Sequence, residues 1–252
     1  MNAFILAAGL GTRLKPLTDT MPKALVPVNG KPMLQHAIER VIQAGATEIV
    51  VNIHHFGQQI VDFLKDFRCE IPIRISDERD LLLNTGGAVK RVIDEGLFTD
   101  KTKPILIHNV DIFSNADLPK LYAESLKHDA VLLVSKRQTQ RYLLFDDNMR
   151  LVGWTNKQTG EVKSPYPNLN PDACKCLAFS GIHCVSHALK EEFTRFPGVF
   201  SVIDFYLDVC SRKEIVGYWD EGLELVDVGK VSVINSTFHT PASITNVSFL
   251  SP

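Results

Sequence analysis

The chain has 252 residues, with 27 Lys and Arg against 29 Asp and Glu, a formal charge of −2. Such a balance argues against nucleic-acid binding through a broad basic surface, and 45% hydrophobic with 22% charged residues argues against disorder as the main state. The length suffices for one large domain or two small ones.

Residues 3–8 are a short apolar run with no basic leader, which reads as a first buried strand rather than a signal peptide. A Gly-rich segment with three cations follows, to residue 25. Met33, Leu34, Ala37, Ile38, Val41 and Ile42 recur at helical spacing, with Gly45 as the stop. Residues 47–53 are a second strand, and Phe56, Ile60, Phe63, Leu64 and Phe67 a second helical stripe. A strand at 71–75 leads to a helix opening at 83–90, with Thr85 as its N-cap. Residues 104–110 read as a strand, Leu118, Leu121, Tyr122 and Leu126 as a helix, and 130–134 as a strand. After about residue 137 the pattern changes. Residues 141–155 read as paired short strands, 157–172 as a Pro-rich loop, 177–185 as a strand, 186–196 and 202–212 as helices, and 215–218 and 223–228 as strands.

Continuous apolar strands alternating with amphipathic helices predict an α/β fold with a doubly wound, mostly parallel, Rossmann-like sheet. One domain is expected over 1–252, its second half (137–252) adding a small lobe. No segment reaches the roughly 18 apolar residues of a spanning helix. Five cysteines, an odd and sparse set, suit reduced thiols and a cytoplasmic setting. Cys174, Cys176 and His183 invite a metal reading, but their spacing fits no common zinc pattern. His54, His55 and His108 read as structural.

The most informative segment is Leu6-Ala-Ala-Gly-Leu-Gly-Thr-Arg-Leu-Lys-Pro-Leu-Thr18, followed by Pro22-Lys23-Ala-Leu25. It opens at the end of the first strand. Gly9 and Gly11 let backbone N–H groups approach a ligand, and Arg13, Lys15 and Lys23 add three cations. That combination suits a polyanion, a triphosphate above all. Leu14 stands where a dinucleotide fingerprint needs glycine, and no Gly-Lys-Ser/Thr follows as a P-loop requires. Asp111 ends the 104–110 strand, where ligands of open α/β sheets gather, and Asp227 lies in a Leu-Val-Asp-Val-Gly run. Together the two could hold a hard cation with phosphate oxygens.

Residues 6–25 resemble the signature of the sugar-phosphate nucleotidyltransferases, the NDP-sugar pyrophosphorylases. Asn109-Val-Asp111 resembles that family's Asn-Gly-Asp metal motif, with Val110 for the usual Gly. Val226-Asp-Val-Gly229 resembles its second metal motif, Leu225 standing where Trp is common. Thr85-Gly-Gly87 resembles the segment near base and sugar, with Asn84 for Glu, and Phe179-Ser-Gly-Ile-His183 and Phe200-Ser-Val-Ile-Asp204 resemble the sugar-pocket segments. The resemblance implies a nucleotide-binding half at 1–136 and a sugar-binding, metal-completing half at 137–252. It implies nucleotide contacts along Leu6, Ala7, Ala8, Gly9, Gly11, Thr12, Arg13, Lys23, Thr85, Gly86 and Gly87. It places sugar at Asn109, Gly181 and Asp204, and Mg2+ on Asp111 and Asp227. Arg13, Lys23 and Asp111 would carry catalysis.

The implied substrates are a nucleoside triphosphate and a sugar 1-phosphate, joined with loss of pyrophosphate. No nucleic-acid or membrane partner is implied, and the oligomeric state is left open. A compact outline is similar to the N-acetylmuramic acid 1-phosphate uridylyltransferases. Mannose-1-phosphate guanylyltransferases are the first alternative and choline-phosphate-type cytidylyltransferases the second. A sugar-nucleotide-binding regulatory module without turnover is the non-enzymatic alternative.

Overall fold

The structure, a computed structural model, describes residues 1–229. In chain order the elements are β1 (Asn2–Leu6), β2 (Pro27–Val28), β3 (Lys31–Pro32), α1 (Met33–Gln43), β4 (Glu48–Ile53), α2 (Gly57–Asp66), β5 (Ile73–Asp77), α3 (Asn84–Asp94), β6 (Ile105–Asn109), β7 (Ile112–Ser114) and α4 (Leu118–Glu124). There follow β8 (Ala130–Ser135), β9 (Arg141–Phe145), β10 (Leu151–Asn156), β11 (Glu161–Lys163), β12 (Lys175–Val185), α5 (Lys190–Thr194), α6 (Val202–Val209), β13 (Ile215–Trp219) and β14 (Leu225–Asp227). Most expected elements are present. β5 starts two residues later than the apolar run suggested, after Pro72, which has no N–H for the ladder. The expected 186–196 helix is split, a short turn capped by Ser186 preceding α5.

The centre is the parallel set β5-β4-β1-β6. Side chains of β1 show why it is doubly wound. Ala3 and Ile5 pack on one face with Leu34, Ile38 and Val41 of α1 and Leu118 and Leu121 of α4. Phe4 packs on the other with Val89 and Val92 of α3 and Phe205 and Tyr206 of α6. Strand order reverses beside β1, which lies between β4 and β6. That switch point opens at the carboxyl ends of the strands, where Leu6 is paired with Asn109.

Beyond β6 the sheet is mixed. β12 runs antiparallel to β6 and β8 along residues 178–185 and to β9 along 175–177, β13 is parallel to β8, and β9-β10-β11 continue as an antiparallel meander. The register of β12 shifts between Phe179 and His183, around Gly181 at φ 75°. A left-handed residue there bends the strand from the parallel core into the second lobe. Among the described residues no helix is long and apolar enough to cross a membrane.

Candidate active site

The loop after β1 is pinned by its apolar residues. Leu14 and Ala24 are fully buried, and each follows a cation, Arg13 and Lys23, that stays at the cavity wall. Gly11 holds φ 65°, and a Cβ there would stand 2.7 Å from Thr18 Cγ2. Thr18 Oγ1 donates to the Gly11 carbonyl at 2.8 Å, closing the turn. The loop is thus rigid before any ligand arrives, and no side chain fits at its tightest point. Lys15 does not join the other two cations; it pairs with Asp19 at 3.2 Å on the surface.

The loop roofs a cavity of about 630 Å³ at the switch point. Leu6, Ala8, Gly9, Gly11, Thr12, Arg13, Lys23, Thr85, Asn109 and Asp111 all line it. Asp111 is 7% exposed and its carboxylate is ion-paired with the Lys23 ammonium. The Arg13 side chain has no acceptor among the described residues, so its charge is free for a ligand.

Asp227 reaches the same place by a pairing the sequence did not show. β14 runs antiparallel to β7, with Asp227 opposite Ile112, and Val228 N donates to Asp111 O at 3.0 Å. A Cβ added to Gly229 would lie 2.8 Å from Asp227 Oδ1, 2.8 Å from Arg13 Nη2 and 3.0 Å from Asp111 Oδ2. Two carboxylates and a guanidinium therefore converge on one point, kept open by a glycine. Val110, the departure beside Asp111, is buried with no positive φ, and its N–H donates to Leu6 O at 3.2 Å. The extra side chain is absorbed by the core without backbone strain.

Other expected contacts are redirected. The amides of Ala7 and Ala8 both donate to Asn52 Oδ1, at 2.6 and 3.2 Å, so they are spent within the protein. Thr85 does not cap α3; its hydroxyl accepts from Val202 N, at the start of α6, at 3.0 Å. Gly86 and Gly87 fall outside the cavity, and both amides donate to Phe200 O. Their close backbone approach is to residues 198–200. A Cβ on Gly87 would stand 2.2 Å from Gly198 O. Gly87→Ala is therefore expected to cost about 2 kcal/mol through overpacking, a fall of roughly 5 °C in Tm by thermal melting.

Sequence reasoning missed Asn52 and Glu78, which also line the cavity. Asn52 Nδ2 donates to Glu78 Oε1 at 2.8 Å, and Leu83 N donates to Glu78 Oε2 at 3.2 Å. Burial holds the Glu78 carboxyl above its ordinary range, against the opposing pull of these donors. The available signal was Asn52, a polar residue interrupting the apolar run from Ile49 to Ile53 near the strand's carboxyl end.

The three sugar candidates are divided. Asn109 lines the first cavity. Asp204, in the first turn of α6, lines a second one of about 530 Å³. Gly181 lies between, with Asn109 Nδ2 2.7 Å from where its Cβ would be. The histidines are structural. His54 Nδ1 bonds Glu78 O at 2.6 Å, His55 packs on Phe56, and buried His108 meets Asn109 O. Desolvation pushes His108 down to about 4 and His183 to about 3. His183 is buried against Tyr206 Oη at 2.6 Å, and no group of three His, Cys, Asp or Glu among the described residues could hold a metal.

A doubly wound sheet with a rigid glycine loop, free cation and paired acids at its switch point defines a nucleotide-binding type of α/β protein. Residues 2–142 match the family named Nucleotidyl transferase, more than half of the chain, and the chain belongs to that family. An N-acetylmuramate alpha-1-phosphate uridylyltransferase of Caulobacter vibrioides is 40% identical over 115 residues, 43% of this chain and 45% of that one. A probable mannose-1-phosphate guanylyltransferase 1 of Oryza sativa subsp. japonica is 34% identical over 139 residues, 54% of this chain and 38% of that one. The matches span less than half the length of these curated relatives. Among solved structures, HddC from Yersinia pseudotuberculosis complexed with GMP-PN superposes with TM-score 0.71 at 22% identity, over 93% of this chain and 96% of that one. A UDP-glucose pyrophosphorylase from Acinetobacter baumanii gives TM-score 0.73 at 15% identity, over 97% and 96%. At these identities they define a shared fold.

Proposed function

We propose that this chain transfers a nucleotidyl group from a nucleoside triphosphate to a sugar 1-phosphate, giving an NDP-sugar and pyrophosphate. The particular reaction we assign is uridylyl transfer to an amino-sugar or hexose 1-phosphate, with Mg2+. One observation carries the reading: Arg13, Lys23 and Asp111 line a single cavity under the glycine loop, and Asp227 stands beside Gly229 of its wall.

The chemistry follows from charge. The attacking phosphate has a second pKa of about 6, so near neutral pH it is mostly dianionic and needs no base. Its oxygen attacks the α-phosphorus while the bond to the β-phosphate oxygen breaks. The obstacle is anion–anion repulsion. Arg13 and the amides at Gly9 and Gly11 suit the β- and γ-phosphates and the leaving pyrophosphate. Lys23, held beside Asp111, would neutralise charge developing at the α-phosphate. The two carboxylates flanking Gly229 suit a hard cation completed by phosphate and water, with the Arg13 guanidinium that shares this point drawn off to the phosphates. Asp111 and Asp227 would hold that ion, which supplies further neutralisation when bound.

A pyrophosphate-release screen of the common nucleoside triphosphates against a panel of sugar 1-phosphates tests this. UTP is expected to lead. GTP with mannose 1-phosphate as the leading pair would transfer the reading to guanylyl transfer. Calorimetric nucleotide binding with no product from any pair would make the chain a binding module.

A further inference from the structure

We infer that Glu78 is a positioning residue of the nucleotide site: through Asn52 it holds the glycine loop in register with a second lining segment, residues 82–85. The inference rests on the nucleotidyl-transfer reading for the ligand, a nucleoside triphosphate, and names the side chains that hold its seat in shape.

The bonds run sideways across the carboxyl ends of three neighbouring strands. Val51 of β4 lies opposite Ile5 of β1, and Ile53 lies opposite Asp77 of β5. Asn52 therefore sits between the end of β1 and Glu78, which follows β5. Asn52 Oδ1 accepts from the amides of Ala7 and Ala8, at 2.6 and 3.2 Å. With that oxygen committed to two donors, the amide has one orientation, and Nδ2 is turned to Glu78 Oε1, 2.8 Å away. Glu78 Oε2 accepts from Leu83 N at 3.2 Å. The Leu83 carbonyl in turn accepts from Phe200 N at 3.3 Å. One run of hydrogen bonds thus ties the root of the glycine loop to the Leu83 and Phe200 peptides. Their neighbours Leu82, Asn84, Thr85 and Val199 line the same cavity as Gly9, Gly11 and Arg13.

Glu78 borders that cavity but is 0% exposed, so it supports the wall and does not touch what the wall holds. Its backbone is fixed independently. Glu78 N donates to Ile53 O at 2.8 Å, and His54 Nδ1 bonds Glu78 O at 2.6 Å. Burial works against its charge, and no Lys, Arg or His among the described residues ion-pairs with it. A carboxyl so enclosed is costly unless its oxygens are met by donors. Its two donors lead to the two lining segments, so neither can shift without unmatching the other. Binding groups stay in place through supporting bonds of this kind.

The test is a cycle of two isosteric changes. Glu78→Gln turns one acceptor into a donor. Whichever way the new amide lies, it faces Asn52 Nδ2 or Leu83 N, donor against donor. Asn52→Asp sets carboxylate against carboxylate. Combined, the two changes restore every bond with one link reversed. The new carboxylate accepts from Ala7, Ala8 and the new amide, whose oxygen accepts from Leu83 N. The charge is kept but moved from position 78 to position 52.

Kd values for the Mg2+ complexes of UTP, GTP, CTP, ATP and dTTP are measured by calorimetry near neutral pH, well below each variant's Tm. Each single change should weaken the leading nucleotide about tenfold, and the double variant should return to within about threefold of wild type. In turnover, KM for the triphosphate should follow Kd, while KM for the sugar 1-phosphate stays within about twofold. Should Glu78→Gln melt too low for calorimetry, Glu78→Asp, too short to meet both donors, carries the same expected loss of about tenfold. Single variants that lose Tm yet bind nucleotide like the wild type would overturn the inference, since the bonds would then serve the fold alone. So would a double variant as weak as Glu78→Gln, because the carboxylate would then be needed at position 78 itself. The expected binding pattern with no product from any sugar 1-phosphate would uphold the inference and refute nucleotidyl transfer. A wild type that binds none of the five nucleotides would remove both.

Discussion

Asp111→Asn is expected to lower kcat about a thousandfold, a loss of ~4 kcal/mol of transition-state stabilisation. The carboxylate stands on two interactions, the ion pair to Lys23 and the shared point with Asp227 and Arg13. An amide of the same shape keeps the packing and the backbone bond from Val228 to Asp111 O. It removes the charge, so affinity for the proposed divalent ion should fall and Lys23 loses its anchor. The loss should fall on kcat more than on KM, because on the proposed reading Arg13 and the loop still hold the triphosphate. Raising Mg2+ should recover part of the rate, which separates a ligand role from a purely structural one. Steady-state pyrophosphate release across a Mg2+ series measures both. Undiminished turnover, or a loss indifferent to Mg2+, would remove Asp111 from the ion site.

Local features were legible in the residues themselves, and the long-range meeting of Asp111 and Asp227 only through the family resemblance. The glycine loop could be read because its glycines, cations and buried anchors lie within one short stretch, and each is fixed by local conformation. The parallel core was legible because strands buried on both faces must be continuously apolar. The meeting of Asp111 and Asp227 depends on β7 and β14, each only three residues long. Strands that short carry too little periodicity to announce a pairing across half the chain. Gly86 and Gly87 are the reverse case. The resemblance sets them near base and sugar, and here they admit the carbonyls of Gly198 and Phe200. Glycine reports close approach without saying what approaches.

Asn52→Leu should be the most damaging change to stability, at about 3 kcal/mol near neutral pH. The side chain is 3% exposed, and each half of its amide is committed. Oδ1 takes the N–H groups of Ala7 and Ala8, and Nδ2 donates to Glu78. Leucine has nearly the same shape but strands the Ala7 and Ala8 amides and removes one of two donors from Glu78, a fully buried carboxyl then left with Leu83 N alone. The pH dependence gives the sharper test. Glu78 is already held above the ordinary carboxyl range by burial, so in the wild type its ionisation costs stability as pH rises from the unfolded value, about 4.3, through the folded one. Removing the Nδ2 donor raises the folded value further and enlarges that cost. The variant's penalty in urea unfolding should therefore be greater at pH 7.5 than at pH 4. A penalty equal at both would assign it to the stranded Ala7 and Ala8 amides alone. Because those amides set the floor of the glycine loop, the same variant should also bind nucleotide more weakly, and calorimetry at a temperature well below its Tm separates that loss from unfolding.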